Sequence, residues 1–118
     1  MLYEAQGISR FYVVCGHTDL RKSIDGLAQL IEGKYHLNPF EKDVLFLFCG
    51  KRADRIKALL WEGNGFLLLY KRFEGGHLSW PRTREEAVSL TKHEYRLLLT
   101  GLNPVTAAIR DVSPKTSL

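Results

Sequence analysis

Between residues 55 and 73 two apolar runs are joined by four residues that include two glycines, and few arrangements other than a β-hairpin accommodate that pattern. Residues 55–61 read R-I-K-A-L-L-W. Arg55, Lys57, Leu59 and Trp61 alternate with Ile56, Ala58 and Leu60, a period of two that marks a half-buried strand. Glu62-Gly63-Asn64-Gly65 supplies the turn, and F-L-L-L-Y-K-R-F over residues 66–73 returns as the second strand. Gly75-Gly76 suggests another tight turn into a short strand over 77–80, stopped by Pro81, so a meander is expected.

The flanking sequence adds buried strands and two helices. F-Y-V-V-C over 11–15 and V-L-F-L-F over 44–48 are β-branched and aromatic runs of strand length. Between them Leu20, Ile24, Leu27, Ala28 and Ile31 recur at helical spacing. They predict an amphipathic helix capped by Thr18 or Asp19, running to about Glu32 and stopped by Gly33. Near the other end, Thr91 and Glu94 form a T-x-x-E capping box ahead of Tyr95, Leu98, Leu99 and Leu102, with Gly101 as the stop. Residues 86–90 fit either an edge strand or a helix start. The expected fold is a single α+β domain over residues 1–103, mainly antiparallel, with a central hairpin or meander, one helix in the N-terminal half and one C-terminal helix. Residues 104–118 lose periodicity and are expected to form a flexible tail.

A chain of 118 residues with 45% hydrophobic content can bury a core without staples. No apolar run is long enough to span a membrane, and M-L-Y-E-A-Q-G-I-S-R lacks the hydrophobic stretch of a signal peptide, so a cytoplasmic location is expected. Cys15 and Cys49 each close an apolar run and belong to no C-x-x-C pattern, which suits core thiols. His17, His36, His77 and His93 are scattered, so no metal is assigned. Asp19, Asp25 and Asp54 have no acid partner at a catalytic spacing, and the nucleophile-elbow, phosphate-loop and dinucleotide fingerprints are missing. No catalytic residue and no cofactor is expected.

Charge is the functional signal. From Lys51 to Arg84 eight Lys or Arg stand against three acids, a surplus of five that exceeds the +4 of the whole chain. Five of the eight are arginines, whose fork of donors suits phosphate. In the hairpin, Arg55 and Lys57 open one strand while Lys71 and Arg72 close the next, so four cations should meet at its open end. Such a cluster is costly unless Asp54 and Glu74, or an anionic partner, offset it. A solvated basic edge that blocks sheet aggregation is the bland alternative. Of the rings Trp61, Phe66, Tyr70, Phe73 and Trp80, most should fill the core, whereas Trp80, between the Gly75-Gly76 turn and Pro81-Arg82, is the candidate for an exposed stacking surface. A second constellation, Thr18-Asp19-Leu20-Arg21-Lys22, places two cations in the expected first helical turn, where the helix dipole disfavours them and phosphate would be welcome. Local pairing of Arg21 or Lys22 with Asp25 would equally explain them.

The strings T-D-L-R-K-S-I-D-G-L-A (18–28), K-R-A-D-R-I-K-A-L-L-W-E (51–62), G-F-L-L-L-Y-K-R-F-E (65–74) and S-W-P (79–81) occur in series. Together they resemble the small accessory protein, TnpB or Orf2-like, of the insertion sequence sixty-six family of bacterial mobile elements. Leu20, Ser23, Glu62, Phe73 and Leu78 depart from the family pattern, the last removing a ring expected before Trp80. The resemblance implies a role in DNA transposition beside a larger transposase that holds the catalytic carboxylates. On this reading the protein is a non-catalytic accessory factor that binds element-end DNA. Arg52, Arg55, Lys57, Lys71 and Arg72 meet phosphates, Trp80 stacks, Arg82 and Arg84 extend the track, and Arg21 and Lys22 form a secondary anion site. Two other readings are an adaptor whose basic hairpin binds an acidic surface of the transposase without touching DNA, and a small nuclease or nucleotide-binding enzyme.

Overall fold

The structure is a computed structural model that describes residues 7–82 and 87–99. Five strands form one sheet: β1 (Arg10–Val14), β2 (Val44–Cys49), β3 (Arg55–Trp61), β4 (Phe66–Arg72) and β5 (Ala87–Leu90). Helix α1 (Ile24–Gly33) connects β1 to β2, and α2 (Lys92–Leu99) follows β5. The strand order is β4-β3-β2-β1-β5, with β1 and β2 parallel and every other pair antiparallel. This is the expected α+β class with a mainly antiparallel sheet. The parallel pair exists because α1 carries the chain back across the sheet between its two strands, as parallel neighbours require.

β2 is buried along its whole length, in keeping with its central place and its unbroken apolar run. The hairpin β3–β4 closes at Glu62 to Gly65, where the Glu62 N–H donates to the Gly65 carbonyl at 2.9 Å and Gly63 takes φ +92°, a conformation that favours glycine. The hairpin lies at the margin of the sheet, since β4 is an edge strand. Its other strand, β3, lies beside β2, the middle strand of the five.

Strand alternation divides the core in two. One face carries Phe11, Val13, Leu45, Leu47, Cys49, Ile56 and Ala58, covered by Tyr95 and Leu98 of α2 and by Leu78 and Trp80. Tyr95 stacks on Phe11 with ring centroids 4.1 Å apart. The other face carries Val14, Val44, Phe46, Phe48 and Leu59 under Leu27 and Ile31 of α1. Fully burying such a side chain stabilises the fold by about 1.5–3 kcal/mol. The capping box holds: the Thr91 N–H donates to Glu94 Oε1 at 2.8 Å and the Glu94 N–H to Thr91 Oγ1 at 3.1 Å. Residues 86–90, ambiguous in sequence, supply β5 from Ala87 onward. The expected stop at Gly101 and the tail over 104–118 lie outside the described residues.

Two elements differ from expectation. No strand forms over 77–80. Instead residues 73–82 leave β4 at one edge of the sheet as a strap, tied down by the Leu78 N–H on the Ala53 carbonyl (2.7 Å) and the Gly16 N–H on the Pro81 carbonyl (2.8 Å). Helix α1 begins at Ile24 with Ser23 as its N-cap, well after Thr18 and Asp19. Leu20 fits the helical spacing yet belongs to the preceding loop, where it packs against Gly50; a Cβ on that glycine would come within 3.2 Å of Leu20 Cδ1.

Candidate nucleic-acid interface

The carboxyl ends of β1 and β2, the start of β3 and the end of β4 all lie at one end of the sheet. Three loops gather there: residues 15–23 after β1, the turn 50–54 after β2, and the strap after β4. The first two, together with β3 and β4, bound a cleft of about 730 Å³ lined by His17, Thr18, Asp19, Leu20, Arg21, Gly50, Lys51, Arg52, Asp54, Arg55, Lys57, Leu68 and Tyr70. Five cations thus face two carboxylates in its walls. Ligand sites favour this end of parallel strands because the connecting loops diverge there.

The loop after β1 is shaped by Asp19. Its carboxylate accepts the Arg21 backbone N–H at 3.0 Å, Arg21 Nε at 2.9 Å and Arg21 Nη2 at 2.8 Å. These bonds hold the Asp19 carboxyl well below the usual carboxylate range and push the Arg21 guanidinium further up. Arg21 and Lys22 consequently precede the helix rather than occupy its first turn, and Arg21 pairs with Asp19, not with Asp25. The dipole conflict inferred from sequence disappears. The secondary anion site does not stand apart either, for Arg21 lines the same cleft as the hairpin cations. Lys57 spans the two constellations by donating from Nζ to the Lys22 carbonyl at 3.0 Å.

The turn 50–54 projects Lys51 and Arg52 into solvent. It closes through the Gly50 N–H on the Arg55 carbonyl and the Ala53 N–H on the Gly50 carbonyl, both at 3.1 Å, with Ala53 at φ +62°. Arg82 braces it from the strap, its Nη2 lying 3.4 Å from the Gly50 carbonyl and 3.5 Å from that of Lys51. Arg84 lies outside the described residues.

In the hairpin, Arg55 sits directly opposite Arg72 and Lys57 opposite Tyr70. Like charges facing each other across strands repel. Carboxylates relieve them: Asp54 Oδ1 stands 3.5 Å from Arg55 Nε, and Glu74 Oε2 accepts from Arg72 Nε at 2.7 Å. The Asp54–Arg55 pair is electrostatic alone, since both atoms are shielded from water and neither has a hydrogen-bond partner among the described residues. Lys71 pairs with Ile56 in register, on the opposite face of the sheet from Arg55, Lys57 and Arg72, and its Nζ lies over the Phe73 ring at 5.0 Å. The four hairpin cations are therefore neighbours along the chain ends but divide three to one between the faces.

The rings exchange their expected places. Trp80 is 4% exposed, packed into the core under the strap, and its Nε1 donates to the Val14 carbonyl at 2.9 Å. It presents no face for stacking, because the strap it belongs to closes the sheet instead of forming an outer strand. Tyr70 is 54% exposed and lines the cleft beside the cations. Period-two alternation carries the signal for it, as Tyr70 shares a face with Arg72 two residues on and with Lys57 across the strand. Asp19, Lys51 and His17 also enter the lining, although the sequence reading did not single them out as site residues. At the far end of the hairpin Phe40, half exposed, meets Trp61 and Phe66 with centroids 5.0 and 5.2 Å away. Among the described residues no group of His, Cys, Asp and Glu could hold a metal ion. Burial pushes the Cys49 thiol up to about 12, which makes it an inert core side chain. No helix among the described residues is long and apolar enough to cross a membrane.

Comparison with known proteins agrees with the residue patterns. The chain is similar to two proteins of Sinorhizobium fredii (strain NBRC 101917 / NGR234), the uncharacterized proteins y4jC and y4hO, each 30% identical over 103 residues. The aligned part covers 87% of this chain in both, and 86% and 88% of the respective relatives. No solved structure matches the chain significantly. A family model described as "IS66 Orf2 like protein" matches residues 9–108, which span all seven elements and the whole cleft. The chain therefore belongs to the IS66 Orf2-like (TnpB) family and is an accessory protein of IS66 transposition.

Proposed function

We propose that this accessory protein binds the DNA of its element through the basic cleft, and that it does so without a catalytic role. The observation that supports the reading is the convergence of three segments, 17–21, 50–57 and 68–70, on one cleft with five lining cations. Arg52, Arg55, Lys57 and Arg72 meet phosphates on this face, with Lys51 and Arg21 beside them. Arg82 acts by holding the turn that presents Lys51 and Arg52. Lys71, on the other face, contributes little.

The test is a gel-shift series with element-end and random DNA across a range of salt. If about five phosphates are contacted, log K falls with log salt at a slope near −4.5. Lys57→Gln and Arg55→Gln should each weaken binding and make the slope shallower by roughly one. A salt-independent affinity, or no binding at low salt, would overturn the reading.

The aromatic patch of Phe40, Trp61 and Phe66 favours a complementary role as adaptor to the transposase, since partly exposed rings in mutual contact suit a protein partner. Lying at the closed end of the hairpin, it leaves the cleft free. Co-purification with the transposase should survive nuclease treatment and be lost in Phe40→Ala.

A further inference from the structure

We propose that the cleft takes unpaired DNA in preference to duplex, with Tyr70 as the platform on which a base stacks. This inference rests on DNA being the cleft's partner, as argued above, and adds which form of DNA it accepts.

Tyr70 carries the argument. Tyr70 is 54% exposed while the four apolar residues before it in β4 are partly buried, so the core has not placed it there. Its register partner is Lys57, its neighbours on the same face are Leu68 and Arg72, and with Leu68 it lines the cleft between cationic walls. Rings set among cations are what single-strand sites use: the ring takes the face of a base, the guanidinium and ammonium groups take the phosphates on either side, and no base sequence is required. In a duplex the base faces are already stacked on one another. Reaching Tyr70 would then require unpairing and extruding a nucleotide, at a cost that a single strand does not bear.

Size allows it. A cleft of about 730 Å³ falls within the roughly 300–1,000 Å³ of sites that enclose small molecules. That volume can receive an extruded base with its flanking phosphates at the cations. The cations are also placed for a strand that passes through. Arg21 lines the cleft from the loop after β1, Lys51 and Arg52 from the turn 50–54, and Arg55 and Lys57 from β3, where Lys57 pairs with Tyr70 in register. Lys57 is fixed by its bond to the Lys22 carbonyl, so its charge is held beside the ring.

The test uses the full chain and fluorescence anisotropy with a labelled single strand of element-end sequence and the duplex made from it. The single strand should bind more tightly. Tyr70→Ala should weaken it by about tenfold or more, with Tyr70→Phe near wild type, because stacking needs the ring and not the hydroxyl. The salt slope should not change in either variant, since no charge is removed. Tyr70 is solvent-exposed, and a thermal melt of each variant checks that the fold is retained. Equal or tighter binding of the duplex, or a single-strand affinity unmoved by Tyr70→Ala, would overturn the inference while leaving the DNA-binding reading intact. Failure of both probes to bind at low salt would overturn both.

Discussion

Trp80→Phe separates a core brace from a surface stacking residue. In the structure the indole is 4% exposed, packs with Phe11, Val13 and Tyr95 in one core cluster, and donates from Nε1 to the Val14 carbonyl at 2.9 Å. Phenylalanine keeps most of the apolar contact but removes the donor. Losing a partner for a buried polar group costs about 1–3 kcal/mol. The void left by the missing second ring adds on the order of 1 kcal/mol. Their sum, roughly 2–4 kcal/mol, is a large share of the 5–15 kcal/mol typical of a domain and should lower the melting temperature by on the order of 10 °C or more. Urea denaturation followed by far-ultraviolet circular dichroism measures it, with the m-value unchanged. At temperatures well below the melt the variant should bind DNA as the wild type does. If Trp80→Phe changed stability by less than about 0.5 kcal/mol, as surface substitutions do, and instead lowered affinity for DNA, the placement of the ring in the core would be refuted.

Two further perturbations probe local chemistry. Thr91→Ala removes one half of the reciprocal cap on α2 and should cost about 1 kcal/mol in the same urea titration, with Thr91→Ser near wild type; no loss in the alanine variant would mean that the cap does not hold the helix. The Asp19 carboxyl is depressed by its bonds from Arg21, so whatever stability this pair contributes is present above the ordinary value of 3.8 and disappears only as pH falls through the lower folded-state value. An NMR titration should therefore find the Asp19 carboxyl carbon still ionised at pH 3.8, while Arg21→Ala restores the ordinary midpoint. A wild-type midpoint near 3.8 would show that the pair does not form in solution.

What was legible in the sequence was local and periodic. The alternation over 55–61, the two glycines of the turn, the unbroken V-L-F-L-F and the T-x-x-E box each specify an element through neighbours within a few residues, and each is found in place. Leu20 and Trp80 misled for one shared reason. The spacing of Leu20 matches the helix, but its packing is decided by Gly50, thirty positions away. Trp80 follows a glycine pair that could turn a hairpin, yet the fifth strand forms on the far side of β1, so the intervening chain must cross the core and bury its ring. No periodicity records which edge a later strand will choose. The cleft itself was half legible: both of its cationic constellations stood out, but their meeting depends on β1 and β2 being parallel, which brings the loop after each to the same end.

The division of Lys71 from Arg72 bears most directly on function. Counting charge along the sequence treats the two as one basic pair, and a purely electrostatic partner would hardly distinguish them. A strand does distinguish them, because successive side chains leave opposite faces. Arg72 joins Arg55, Lys57 and Tyr70, whereas Lys71 shares its face with Ile56 and leans over Phe73. Nearby acids attend the same side: Asp54 and Glu74 stand beside Arg55 and Arg72 of the Tyr70 face, and Asp19 beside Arg21 of the adjoining loop. The exposed pairs at Arg21 and Arg72 add little stability. What the pairs do is hold guanidinium groups in place and moderate their mutual repulsion, so that the positive charges can lie side by side. A charged edge that merely blocked aggregation would not require an exposed tyrosine, and Tyr70, set among Arg55, Lys57 and Arg72, gives this face a feature that charge alone does not explain.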